Sequence, residues 1–266
     1  MIKAGVIGHP IQHSLSPKLH NYWLKKYGID GEYKAYDVAP ENLGAFIAGM
    51  KDKGLSGCNV TIPHKEAVMQ YMDELDDVAE DVGAVNTIIL KDGKLLGSNT
   101  DVSGFYENVK PHLTGTNKAF ILGAGGAAKG VAVALRKLGF DTIMISNRTQ
   151  EKASELADKQ GLQLVDWEQK DGSLKEVNLL VNTTSLGLAG NLPLDLDLAA
   201  LPITALVTDI VYKPLITPLL AEAKARGNKI VDGLGMLLYQ AAPGFEAWFG
   251  VKPEVTDELR NYIVAA

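Results

Sequence analysis

The chain has 266 residues, 46% of them hydrophobic and 22% charged, with a formal net charge of −6 at pH 7. That is enough chain for one large core or two smaller ones. An acidic chain of ordinary composition has no general basic face for nucleic acid, so an anionic ligand must be met by local cations. The single cysteine, Cys58, excludes an intrachain disulfide and points to a reducing, cytoplasmic setting. MIKAGVIGHP lacks the apolar core of a signal peptide and the Arg/Ser bias of a transit peptide, and no stretch approaches a membrane span. His9 and His13 are separated by Pro10, so no helix aligns them and no metal site is expected.

Short apolar runs alternate with amphipathic stretches, the pattern of an α/β protein with mostly parallel sheet. The first strand is expected at about 2 to 7. Ser16-Pro17 opens a helix, with Ser16 as its capping hydroxyl, and Gly28 ends it. Pro40 opens a second helix with a buried stripe of Leu43, Phe46, Ile47 and Met50. A strand at 55 to 62, holding a packed Cys58, leads to a helix that carries Lys65. AVNTIIL and KLLGS flank Asp92-Gly93, a strong hairpin signal. From about 118 the pattern restarts: KAFILG, then strands near 142 to 146, 162 to 165, 178 to 182, 206 to 210 and 228 to 232. Six strands suit a full dinucleotide-binding sheet. Helices at about 234 to 248 and 254 to 264 come after that sheet is complete and are expected to pack on the first half. The expected division is 1–101, 102–232 as a Rossmann domain, and 233–266 returning to the first domain, with a ligand cleft between domains.

GAGGAA at 123 to 128 follows a strand and opens a helix. Gly123 permits a tight turn, and Gly125 and Gly126 let backbone approach a pyrophosphate at the helix N-terminus. The next strand ends in ISNRTQEK, without the carboxylate that an NAD ribose usually meets. Asn147, Arg148 and Thr149 stand there instead. Arg148 can pair with a 2′-phosphate and stack on adenine, and Lys152 adds charge one turn on. The plain alternative makes Arg148 a surface residue and Thr149 a helix cap.

Polar residues collect at strand ends of the first half: Ser14, Ser16, Thr61, Lys65, Asn86 and Asp101. The carboxyl ends of parallel strands share one sheet edge, so distant residues can converge there. Each has a plain alternative: turn residue, cap, backbone partner, or a solvated lysine. That last is a poor use of the positive end of a helix.

GHPIQHSLSPKLHN, GCNVTIPHKEAV, GAVNT, GSNTD, ILGAGGAAKG, NRT, NTTSLG, DIVYKPLITPLL and DGLGMLLYQAA occur in this order over almost the whole chain. In them the chain resembles the shikimate dehydrogenase family. The resemblance implies an N-terminal substrate domain and a C-terminal NADP domain. It implies reversible NADPH-dependent reduction of 3-dehydroshikimate to shikimate, in chorismate and aromatic amino acid biosynthesis. It makes Lys65 and Asp101 the catalytic pair. Ser14 and Ser16 would bind the substrate carboxylate, Thr61, Asn86, Asp101 and Gln240 the ring hydroxyls, and Tyr212 would line the pocket. Gly123, Ala124, Gly125, Gly126 and Ala127 would cradle the cofactor, Asn147, Arg148, Thr149 and Lys152 its adenosine end, and Ile210 and Gly233 would border the nicotinamide. The expected partners are small molecules, with no nucleic acid and no membrane, in a monomer or homodimer.

Paired in a cleft at neutral pH, lysine and aspartate are ammonium and carboxylate. Lys65 is then a ready acid for ketone reduction, while alcohol oxidation first needs its proton removed and should favour alkaline pH. The rivals are an NAD-dependent quinate/shikimate dehydrogenase and, in another class, a non-catalytic NADP-sensing protein.

Overall fold

A computed structural model of the protein describes residues 1–265. In chain order the elements are β1 Ile2–Gly8, α1 Ser16–Lys26, β2 Gly31–Asp37, α2 Leu43–Ala48, β3 Leu55–Val60, β4 Glu74–Leu75, α3 Asp77–Val82, β5 Thr87–Lys91 and β6 Lys94–Ser98. They continue with α4 Asp101–Val109, β7 Lys118–Leu122, α5 Gly126–Lys137, β8 Thr142–Ser146, α6 Gln150–Gln160, β9 Gln163–Leu164, β10 Leu179–Asn182 and β11 Leu206–Asp209. The last are α7 Pro218–Arg226, β12 Lys229–Val231, α8 Leu234–Phe249 and α9 Asp257–Val264. Two compact units result, Met1–Asp101 with Leu238–Ala266, and Val102–Leu237.

The first unit is built on a mixed sheet in the order β2-β1-β3-β5-β6-β4. β1 runs parallel to β2 and β3, whereas β3–β5 and β5–β6 are antiparallel. Asp92 and Gly93 take positive φ, 52° and 80°, the left-handed pair that a two-residue hairpin turn needs. Ile7, Leu43, Ile47, Met50, Leu55, Cys58, Val60 and Ile88 form one core. Cys58 is fully buried there, and loss of water pushes its thiol up to about 12, so it packs as a small apolar residue. From α8, Trp248 donates its indole N–H to the Ile88 carbonyl at 3.0 Å. Gly57 makes that bond possible, since a Cβ there would overlap both Trp248 Nε1 and the Ile88 oxygen.

β2 is not read from the sequence. GEYKAYD has little apolar alternation because it is an edge strand, with only Tyr33 fully buried. α3 is short and polar but is capped by Asp76, which accepts from Ala79 N at 2.7 Å. The expected cap at Ser16 needs correction. Ser16 is the first helical residue and α1 has no side-chain cap; instead Ser14 Oγ accepts from Ser16 N at 3.3 Å. Lys65 also departs from expectation. It lies in a turn ahead of a short 3₁₀ segment, Ala67–Tyr71, not in an α-helix. Its carbonyl accepts from Val85 N at 2.8 Å, so that backbone is drawn to another segment and not into a local helical ladder.

The second unit carries an all-parallel sheet in the order β12-β11-β10-β7-β8-β9. This is the strand order of a doubly wound dinucleotide-binding sheet, and it places β7 beside the switch point. Phe120, Leu122, Leu180, Val207 and Leu220 fill one face. Buried Asp209 accepts from Asn182 Nδ2, Thr217 Oγ1 and Val211 N at 3.0, 2.8 and 2.9 Å, which pins the chain after β11. Burial raises its carboxyl above the ordinary range against the pull of those three donors.

Candidate active site

In the first unit, Lys65 Nζ donates to Asp101 Oδ2 at 2.6 Å, with only 21% and 12% of the two side chains exposed. An ion pair so far withdrawn from solvent is held by more than its own attraction, because desolvation opposes it. Asp101 is the first residue of α4, and its N–H donates to Asn99 Oδ1 at 3.1 Å. Asn99 Nδ2 in turn donates to the Ala84 carbonyl at 2.8 Å. Lys65 is tied through its carbonyl to Val85, the neighbour of Asn86.

Asn86 is 2% exposed and is the hub of a polar network. Its Oδ1 accepts from Thr100 N at 2.7 Å and from the Thr87 hydroxyl at 2.9 Å. Its Nδ2 points to Gln240 Oε1 at 3.5 Å. Asn59 faces Thr87 across the β3–β5 pair and donates to its Oγ1 at 3.2 Å. The pairing of Asn59 with Thr87 depends on strand register and is not read from the sequence. Ser14, Thr61 and Lys65 are half-buried, and Ser16, Asp101 and Gln240 are buried. His64 is turned inward, its Nε2 2.7 Å from the Val38 carbonyl, and takes no part in this set.

In the second unit Gly123 has φ +108°, and a Cβ there would sit 2.5 Å from Thr183 Oγ1. Gly125 and Gly126 differ: a Cβ on either would meet nothing within 4 Å. No side chain caps the first N–H groups of α5. An anion with a broad, flat approach fits such an N-terminus. Ala124 is buried and Ala127 half-buried behind the turn. β8 ends at Ser146. Beyond it Asn147 Nδ2 donates to the Thr149 carbonyl at 2.8 Å, while Thr149 does not cap α6 with its side chain. Arg148 and Lys152 are exposed and make no ion pair or hydrogen bond among the described residues. Gly233 abuts the Ile210 carbonyl so closely that any Cβ would overlap it. Tyr212 is half-buried, and loss of water raises its phenol pKa. Among the described residues no helix is long and apolar enough to cross a membrane.

A doubly wound parallel sheet with an uncapped glycine turn defines the dinucleotide-binding class of α/β proteins. Three family models match along the chain: shikimate dehydrogenase substrate binding domain at 6–88, shikimate / quinate 5-dehydrogenase at 107–187, and shikimate 5′-dehydrogenase C-terminal domain at 233–257. The chain is 52% identical over 269 residues to the shikimate dehydrogenase (NADP(+)) of Paramagnetospirillum magneticum, covering 98% of each. Among solved structures it is similar to shikimate 5-dehydrogenase from Thermus thermophilus in complex with NADP(H) and shikimate. There the identity is 37% and the TM-score 0.91, over 100% of this chain and 99% of that one. It is also similar to quinate dehydrogenase from Corynebacterium glutamicum in complex with NAD, at 28% identity and TM-score 0.93, over 100% and 99%. The chain belongs to the shikimate dehydrogenase family.

Proposed function

We propose that this protein catalyses the reversible NADPH-dependent reduction of 3-dehydroshikimate to shikimate, a step of chorismate and aromatic amino acid biosynthesis, in the cytoplasm. The observation that carries the reading is the Lys65–Asp101 pair at 2.6 Å, joined by short backbone links to the Asn86 hub. The unit of residues 1–101 and 238–266 serves as substrate domain, and 102–237 as dinucleotide domain.

The nicotinamide cofactor supplies the hydride. Gly123, Ala124, Gly125, Gly126 and Ala127 would hold its pyrophosphate against the α5 N-terminus. Asn147, Arg148, Thr149 and Lys152 would meet the adenosine end, with the unpaired guanidinium of Arg148 matched to a 2′-phosphate. Ile210 and Gly233 would border the nicotinamide. Lys65, as ammonium, gives a proton to the substrate oxygen as the carbonyl carbon is reduced. Asp101 fixes the direction of Nζ and accepts from a neighbouring hydroxyl. Ser14 and Ser16, at the start of α1, donate to the substrate carboxylate. Thr61, Asn86 and Gln240 hold ring hydroxyls, and Tyr212 lines the pocket.

The alternative is quinate oxidation with NAD, favoured by the likeness to the Corynebacterium glutamicum protein. Absorbance at the NADPH band, with shikimate plus NADP and then quinate plus NAD, separates the two. Faster turnover with the second pair would overturn the proposal. Tight cofactor binding with no turnover on either would point to a sensor.

A further inference from the structure

His20 and Asn21 close the opening motif, yet neither belongs to the residues assigned to substrate. Both act on Tyr33, which is 1% exposed. Asn21 Oδ1 accepts from Tyr33 N at 3.2 Å, and Asn21 Nδ2 donates to the Tyr33 carbonyl at 2.8 Å. The His20 ring lies flat on the Tyr33 ring, centroids 4.0 Å apart and planes 3° apart. Neither ring nitrogen of His20 has a hydrogen-bond partner of ordinary geometry, an expensive arrangement for a buried imidazole. What His20 contributes is its flat face. Backbone and ring of one tyrosine are thus both fixed from α1.

The Tyr33 phenol has one proton. It goes to Asn59 Oδ1 at 2.6 Å. That donation and the Asn86 carbonyl, which can only accept, agree on which way the Asn59 amide faces. Asn59 Nδ2 therefore donates to Thr87 Oγ1 at 3.2 Å and to the Asn86 carbonyl at 3.3 Å. Having accepted there, the Thr87 hydroxyl donates onward to Asn86 Oδ1. Thr100 N donates to the same oxygen, so the Asn86 NH₂ is turned outward toward Gln240. One direction of donation runs from Tyr33 through Asn59, Thr87 and Asn86 to Gln240.

We infer that Tyr33 is a positioning residue: its phenol, held by His20 and Asn21, anchors the far end of this chain and so tightens the placement of Asn86, whose N–H meets a substrate hydroxyl. The inference rests on the functional reading above. Without the phenol, Asn59 Oδ1 loses its 2.6 Å donor and the amide is held only by its longer donations to Thr87 Oγ1 and the Asn86 carbonyl, so the links onward to Asn86 Oδ1 loosen. Such linked bonds act as a unit.

The test is steady-state kinetics of the full chain with shikimate and NADP. Tyr33→Phe is expected to raise KM for shikimate about three- to tenfold, with kcat within about twofold and KM for NADP unchanged. In a Thr87→Val background the same change should add less than about twofold, because the link is already cut. An unchanged KM, or an equal effect in both backgrounds, overturns the positioning role. No wild-type turnover overturns the functional reading and this role with it, whereas wild-type turnover with an unaffected Tyr33→Phe overturns this role alone. If a melting curve shows Tyr33→Phe unfolded, His20→Gln keeps the phenol but removes the ring beneath it. KM for shikimate should then rise at least about twofold with KM for NADP unchanged, and no rise overturns the role.

Discussion

Lys65 Nζ and Asp101 Oδ2 stand 2.6 Å apart although 36 residues separate them in the chain. Two different strand ends deliver them. Lys65 follows β3, and Asp101 follows β6 as the first residue of α4. The pair gives the ammonium one defined direction and leaves its other protons for a bound oxygen.

If Lys65 transfers the proton, Lys65→Ala should lower kcat by on the order of 10²- to 10⁴-fold with a much smaller change in KM. Steady-state rates with shikimate and NADP would measure this. Near-normal turnover would remove Lys65 from the chemistry.

Arg148 stands exposed just past β8 without a partner among the described residues. Arg148→Ala should raise KM for NADP by about tenfold or more and leave KM for NAD nearly unchanged, since only the former loses a charge-assisted phosphate contact. Equal effects on both cofactors would remove the phosphate assignment.

Gly123 has φ +108° and no room for a Cβ against Thr183. Gly123→Ala should destabilise the protein by about 1–3 kcal/mol and weaken NADP binding, because the loop can relieve the overlap only by moving. Thermal melts with and without NADP would check it. A variant with wild-type melting and NADP affinity would show that the turn is not constrained as described.

His20 is buried among Trp23, Tyr33, Phe245 and Trp248, and loss of water lowers its imidazole to about 3 from 6.5. The folded state keeps the ring neutral, while the unfolded chain protonates it below about 6.5. Its contribution to stability is therefore complete above about pH 6.5 and is lost as pH falls toward about 3, with a slope of up to about 1.4 kcal/mol per pH unit. Denaturant titrations across that range should show a shallower acid loss in His20→Phe. Identical slopes would mean that another group governs acid unfolding.

Much of this protein was fixed by local sequence. The Asp92-Gly93 hairpin, the six strands of the second unit and the glycine turn all follow from backbone rules that act over a few residues. The residue types of the site were legible for the same reason, since polar groups at the ends of apolar strands stand out. Tertiary structure alone decided the rest. β2 shows no clear alternation because it lies at a sheet edge, and Lys65 leaves the helix expected for it because its carbonyl bonds to Val85. Tyr33, Asn59 and Thr87 join one proton-donating chain only because parallel and antiparallel pairing on either side of β3 bring them into register. Hydrogen bonds between strands depend on which strands pair, and no window of sequence contains that choice.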